Sequence, residues 1–134
     1  MANALYGLGK GRLLTAAINL SSDTIKAALV STSYTANLTT DEFYSTISAN
    51  VLGTPQTLGS KTTTLGVFDA ADPTFSAVSS GSTAKALVIY KDTGVAGTSP
   101  LLAYIDTITG FPLATNGGDI QIVFDSGANK IFAL

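Results

Sequence analysis

From Ser22 onward, short apolar and β-branched runs alternate with clusters of Gly, Asn, Asp and Ser. That texture predicts strands joined by tight turns. Thr24 to Val30 reads as a strand behind the turn cluster Ser21-Ser22-Asp23. Asp41-Glu42-Phe43-Tyr44 follows Thr39-Thr40, a candidate N-cap for a short helical turn. Gln56-Thr57-Leu58 and Thr62 to Leu65 flank Gly59-Ser60-Lys61, the pattern of a hairpin. Gly66-Val67-Phe68 runs into the loop Asp69 to Pro73, and Thr74 to Val78 resumes extended structure. Ser79 to Ser82 is a second hairpin signal. It leads to Thr83–Tyr90, which is apolar on both faces from Ala86 to Ile89 and so predicts a strand buried on both sides. After the long loop 91–100 come Leu101 to Asp106, the turn Asn116-Gly117-Gly118, and alternating Ile120, Ile122 and Phe124. The turn Ser126 to Asn129 precedes Lys130 to Leu134, a strand expected to pair inside the sheet.

About eight short strands at nearly regular spacing, with no 10–15-residue helical pattern between them, predict an all-β fold. The expected form is an antiparallel β-sandwich or jelly roll over residues 21–134, preceded by a short N-terminal helix or arm over 1–20. Within that arm Ala4, Leu5, Leu8, Leu13 and Leu14 approach helical spacing, while Gly7, Gly9 and Gly11 each cost about 1 kcal/mol in a helix interior. Such a segment orders best against a neighbour. No internal repeat and no domain linker are expected.

Composition narrows the chemistry. Only 12% of the 134 residues are charged, against a usual quarter or so, while 13 Ser and 19 Thr supply polarity without charge. Such a surface favours adhesion over repulsion. There is no His and no Cys, which excludes Ser-His-Asp and Cys-His nucleophiles, the usual zinc sites and any disulfide framework. One Arg and six Lys on a chain of net charge −2 cannot line a phosphate backbone, so no nucleic-acid partner is expected. Apolar runs such as Ala86 to Ile89 fall far below the roughly 20 residues of a membrane span. The apolar stretch after Lys10 and Arg12 is likewise too short for an export signal, so synthesis in the cytoplasm and no membrane partner are expected.

Candidate sites are few. Gly7-Leu8-Gly9-Lys10-Gly11-Arg12 superficially looks like a phosphate loop but lacks the required spacing and a preceding strand. Asp69 with Asp72, and Asp119 with Asp125, could approach a metal, yet no calcium-loop pattern surrounds them, and Asp72 before Pro73 reads as a turn former. A glycosidase needs two facing carboxylates, and the sole Glu, Glu42, sits on an expected surface turn. Neither enzymatic activity nor a cofactor is expected. The aromatics fall mostly one to a strand, which is core spacing. Tyr6 is the exception, on a segment with little reason to be ordered alone. We expect Leu5 and Tyr6 to be apolar anchors on a partner, with Lys10 and Arg12 facing its acidic groups.

Several stretches carry a resemblance. Met1-Ala2-Asn3-Ala4, Ser22 to Val30, Gly66 to Phe75, Ala86 to Gly94, Asn116-Gly117-Gly118-Asp119 and Asn129-Lys130-Ile131-Phe132 together resemble a family of small structural proteins of tailed-bacteriophage virions. Its jelly-roll capsid cement, or decoration, proteins are the nearest in kind. One departure is the first helix, richer in charge in that family and here bearing three glycines. The resemblance implies a protein on the capsid surface that binds the major capsid protein and stabilises contacts between its subunits. Lattice symmetry would favour self-association as dimers or trimers. A tail or neck adaptor, a fibre-associated protein and a carbohydrate-binding sandwich are the alternative expectations.

Overall fold

A computed structural model describes residues 3–124, 127 and 130–134. Asp125, and the expected turn at 126–129 apart from Gly127, lie outside the described residues. The elements run β1 (Ala4–Leu5), α1 (Gly7–Leu14), β2 (Ile25–Ser31), α2 (Tyr44–Ile47), β3 (Val51–Thr57), β4 (Val67–Phe68), β5 (Thr74–Phe75), β6 (Thr83–Lys91), β7 (Leu101–Ile105), β8 (Leu113–Ala114), β9 (Ile120–Gln121) and β10 (Phe132–Ala133). The protein is all-β and antiparallel, with two short helices.

One six-stranded sheet, ordered β1-β7-β6-β2-β3 with β8 also on β6, carries the molecule. Its centre follows directly from the apolar run expected to be buried. Leu87 and Ile89 of β6 enter one core with Ala27 and Leu29 of β2, whereas Ala86, Val88 and Tyr90 enter a second with Ala28 and Val30. Successive strand residues point to opposite faces, so a strand between two cores must be apolar throughout. In place of a sandwich's second sheet, two ribbons cover the first face: β4 paired with β10, and β5 paired with β9. They bring Phe68, Phe75, Ile120, Ile122 and Ile131 onto that core. Fully burying side chains of this size contributes about 1.5–3 kcal/mol each. The second face is covered by Tyr6, Tyr34, Ala36 and Ile47.

Several expected turns join different partners. The hairpin across Gly59-Ser60-Lys61 does not form. Gln56 and Thr57 pair instead with Ala27 and Lys26, and Thr62 pairs with Asp69. Ser60 does adopt the left-handed conformation of a turn (φ 52°), but the open flank of β2 offers the longer ladder. The register of β3 shifts between Ala27 and Leu29, where Gly53, Thr54 and Pro55 bulge from the sheet edge. A proline without an N–H is tolerated there. Similarly, Ser79 to Ser82 links a ribbon to the main sheet, because β5 pairs with β9 while β6 pairs with β2 and β7. The helical turn begins at Tyr44 with Phe43 as its N-cap, and Thr39-Thr40 belong to the turn before it. The terminal strand is paired, but in a ribbon, with Ile131 buried and Leu134 left 73% exposed.

Candidate functional site: the N-terminal helix and its clamp

Within the segment expected as a short helix or arm, β1 forms one edge of the main sheet and α1 packs onto β7. The glycines explain how. A Cβ on Gly9 would stand 2.4 Å from the carbonyl oxygen of Leu101, and one on Gly7 would stand 3.2 Å from that of Leu38. The residues that weaken the helix in isolation thus allow it to lie directly on backbone. No side chain caps its first turn. The Gly7 N–H donates instead to the Leu38 carbonyl at 2.8 Å, and the Tyr6 N–H donates to Leu102 at 2.9 Å.

Leu38 belongs to a tightly closed turn, Asn37-Leu38-Thr39-Thr40-Asp41. The Asn37 Oδ1 accepts the N–H groups of Thr39 and Thr40 at 3.1 and 3.2 Å. The Asn37 N–H donates to Asp41 Oδ2, and the Asp41 N–H returns to the Asn37 carbonyl, both at 2.9 Å. Asp41 Oδ2 also accepts the Tyr34 hydroxyl at 2.6 Å. Tyr34 has spent its proton on Asp41, so the Tyr6 hydroxyl must donate to Tyr34, 2.7 Å away. Burial pushes both phenols well above their ordinary pKa, keeping them as neutral donors. Directly after the turn, Glu42 pairs with Arg12, whose guanidinium lies 5.0 Å from the centre of the Phe43 ring.

The exit of α1 carries the same turn again. Asn19-Leu20-Ser21-Ser22-Asp23 repeats the pattern of Asn37 to Asp41 with Ser for Thr. Asn19 Oδ1 accepts from Ser21 and Ser22 at 3.0 and 3.3 Å; the Asn19 N–H donates to Asp23 Oδ2 at 2.7 Å, and the Asp23 N–H to the Asn19 carbonyl at 2.9 Å. Here the carboxylate pairs with Lys91 at 3.1 Å, and Lys61 donates to the Asp23 carbonyl. The Asn19 N–H, and after it Lys91, hold the Asp23 carboxyl below its usual value.

These contacts place the expected site residues. Tyr6 is fully buried within its own chain, and Arg12 is engaged by Glu42 and Phe43. Leu5 is half-buried against the first core. Lys10 is exposed, one helical turn before Leu14. Lys10, Leu13, Leu14 and Leu134 line a hollow of about 190 Å³ between the helix and the terminal ribbon. Leu14 is 89% exposed, and the Leu134 N–H bonds to the carbonyl of Gly66, next to Leu65, which is 96% exposed. Leu65 also holds a left-handed backbone, φ 55° and ψ 33°, which costs a leucine about 1–2 kcal/mol. Sequence reasoning missed Leu65 and Leu134; the i, i+4 spacing of Lys10 and Leu14 was the available signal for the rest.

Two of the carboxylates considered for metal chemistry, Asp72 and Asp119, serve as staples. Asp72 Oδ1 accepts from the distant Phe124 N–H, rather than from its own turn, and Asp119 Oδ1 accepts from Ala77, both at 2.9 Å. Among the described residues no three of His, Cys, Asp and Glu converge on a metal-sized site, and no helix is long and apolar enough to cross a membrane. Compared with known proteins, the chain matches no family model and no curated protein sequence.

Proposed function

We propose that this protein decorates the capsid of a tailed bacteriophage, seating on the assembled shell and stabilising contacts between major capsid subunits. One observation supports this most: the leucine-lined hollow at the end of α1, with Leu14 and Leu134 largely in water. Isolated exposed leucines are ordinary, but two sharing one concavity mark a surface suited to a partner. The buried network of Tyr6, Tyr34 and Asp41, together with Arg12 and Glu42, supports the same reading, because it holds the helix in place before any partner arrives. A preordered surface loses less entropy on docking.

The mechanism is linkage. A protein that binds the assembled lattice more tightly than free subunits shifts the balance toward the shell by mass action. Seating around local symmetry axes would gather copies as dimers or trimers. Assembly would take place in the host cytoplasm. Virions stripped of the protein by mild denaturant should burst at lower temperature or osmotic stress, and adding it back should restore them. Shells whose strength does not change on stripping and re-addition contradict the proposal. Densitometry separates the tail or neck alternative: hundreds of copies per virion fit a cement, about a dozen fit an adaptor.

A further inference from the structure

We infer that Asn116 is a site of covalent modification, where the side chain closes on the Gly117 nitrogen and water opens the resulting imide to isoaspartate. The folded protein admits this reaction only when the clip between residues 77–82 and 115–119 opens. No partner is needed, so the chemistry does not depend on the decoration role. Six asparagines lie along the chain, and Asn116 alone is followed by glycine. A glycine puts no side chain in the path of a carboxamide approaching the next backbone nitrogen. Asn19 and Asn37 accept the N–H two residues on, at 3.0 and 3.1 Å, as Asn116 accepts that of Gly118 at 2.9 Å. Leu20 and Leu38 follow those two asparagines, so turns of like construction are shielded where Asn116 is open.

The reaction uses only water. A solvent base removes the Gly117 amide proton, and that nitrogen attacks Asn116 Cγ. The N–Cγ bond forms as the Cγ–Nδ2 bond breaks, and Nδ2 takes up the proton and leaves as ammonia. One water then adds to the imide: opening at Cγ gives aspartate, and opening at the main-chain carbonyl of residue 116 gives isoaspartate. Nothing is oxidised or reduced. Residues 116–118 are exposed, yet the Gly117 N–H that must ionise donates to the Val78 carbonyl at 2.8 Å. The Val78 N–H returns to the Gly118 carbonyl at 3.0 Å, and the Ala77 N–H donates to Asp119 Oδ1 at 2.9 Å. Thr115 Oγ1 bridges the Ser82 N–H and carbonyl, both at 3.1 Å. Opening this clip frees the Gly117 nitrogen and relieves the left-handed backbone of Ala77, φ 48°. Isoaspartate lengthens the main chain by one carbon, so after reaction the clip cannot close again in register. The closed clip borders the β5–β9 ribbon, whose Phe75 and Ile120 enter the first core.

Timed incubation in warm, mildly alkaline buffer tests this, with peptide mapping and an isoaspartyl methyltransferase reading residue 116. The native protein should react roughly tenfold more slowly, or slower still, than the chain unfolded in concentrated urea. Asp119→Ala and Thr115→Ala each remove bonds from the clip. Both should raise the native rate roughly tenfold while leaving the rate in concentrated urea unchanged. Wild-type protein in urea below its unfolding transition should also react faster, because the opening is local, and this series decides the matter where a variant fails to fold. Asn19 and Asn37 should stay unreacted throughout. Absence of isoaspartate at residue 116 in the unfolded chain overturns the inference. So does a native rate equal to the unfolded one, or a rate that rises only with global unfolding. Asn116→Asp keeps an acceptor for Gly118 and should melt as the wild type does, whereas aged protein enriched in isoaspartate should melt lower. Equal melting of aged and fresh protein overturns the claim that the reacted clip stays open.

Discussion

The turns at 19–23 and 37–41 share one pattern, Asn-Leu-hydroxyl-hydroxyl-Asp, and one set of internal hydrogen bonds, yet they serve opposite faces of the sheet. Leu20 packs toward the first core and Leu38 toward the second. Both turns border α1, the first receiving the chain that leaves it and the second gripping its start. What separates them is the aspartate's outside partner. Asp23 meets a lysine at a site still about a quarter exposed, while Asp41 meets the hydroxyl of a tyrosine that is itself buried. Local chemistry therefore determines the shape of the turn, and tertiary context determines how much the fold depends on it.

Asp41→Ala should be the most damaging change, about 3 kcal/mol, because it leaves the buried Tyr34 hydroxyl without its acceptor and loosens the hold on α1. Asp23→Ala breaks the same local bonds plus a partly exposed ion pair and should cost about 1 kcal/mol. Urea denaturation of the two variants measures the gap directly; equal costs would mean that the aspartate's outside partner does not set its contribution. Gly9→Ala separates the docking of the helix from both turns. Its methyl group meets the Leu101 carbonyl, so a loss of about 2 kcal/mol is expected, whereas Gly11→Ala, open to solvent, should stabilise by up to about 1 kcal/mol. Asn19→Ala and Asn37→Ala remove only the shared local bonds. Each should cost about 1 kcal/mol, and thermal melts that agree within a few tenths would confirm that the turns are locally equivalent.

The smallest effect is in acid. The Asp23 carboxyl is lowered by the Asn19 N–H and Lys91, so its contribution is complete above the ordinary carboxylate pKa and is lost as pH falls through the lowered folded value. Denaturation followed from pH 6 downward should therefore show a decline below about pH 4 that is shallower in Asp23→Asn.

Much of the sheet was legible because its signals are local. Ala86 to Ile89 reads as a strand apolar on both faces, and Thr24 to Val30 forms a strand as expected, although its place beside that run had no local signal. The hairpin at 59–61 misled because the turn residues are correct while the pairing is decided by the flank of β2, a contact with no local signature. The glycines of α1 misled in the other direction. As isolated residues they predict weakness, and only the approach of Leu101 and Leu38 reveals them as packing positions. Tyr6 followed the same logic, since nothing near it in sequence announces Tyr34. The repeated pentapeptide lies in the sequence, but serine in one copy against threonine in the other hid it.

In the decoration role proposed above, the end of α1 and the terminal ribbon would form the surface that meets the capsid. Hydrogen–deuterium exchange of the protein, free and seated on shells, tests it most directly. Amides from Leu13 to Ala17, with Gly66 and Leu134, should slow on binding while those of β3 at the far edge of the sheet keep their free rates. Protection confined to β3, or no change near Leu14, would contradict that docking surface.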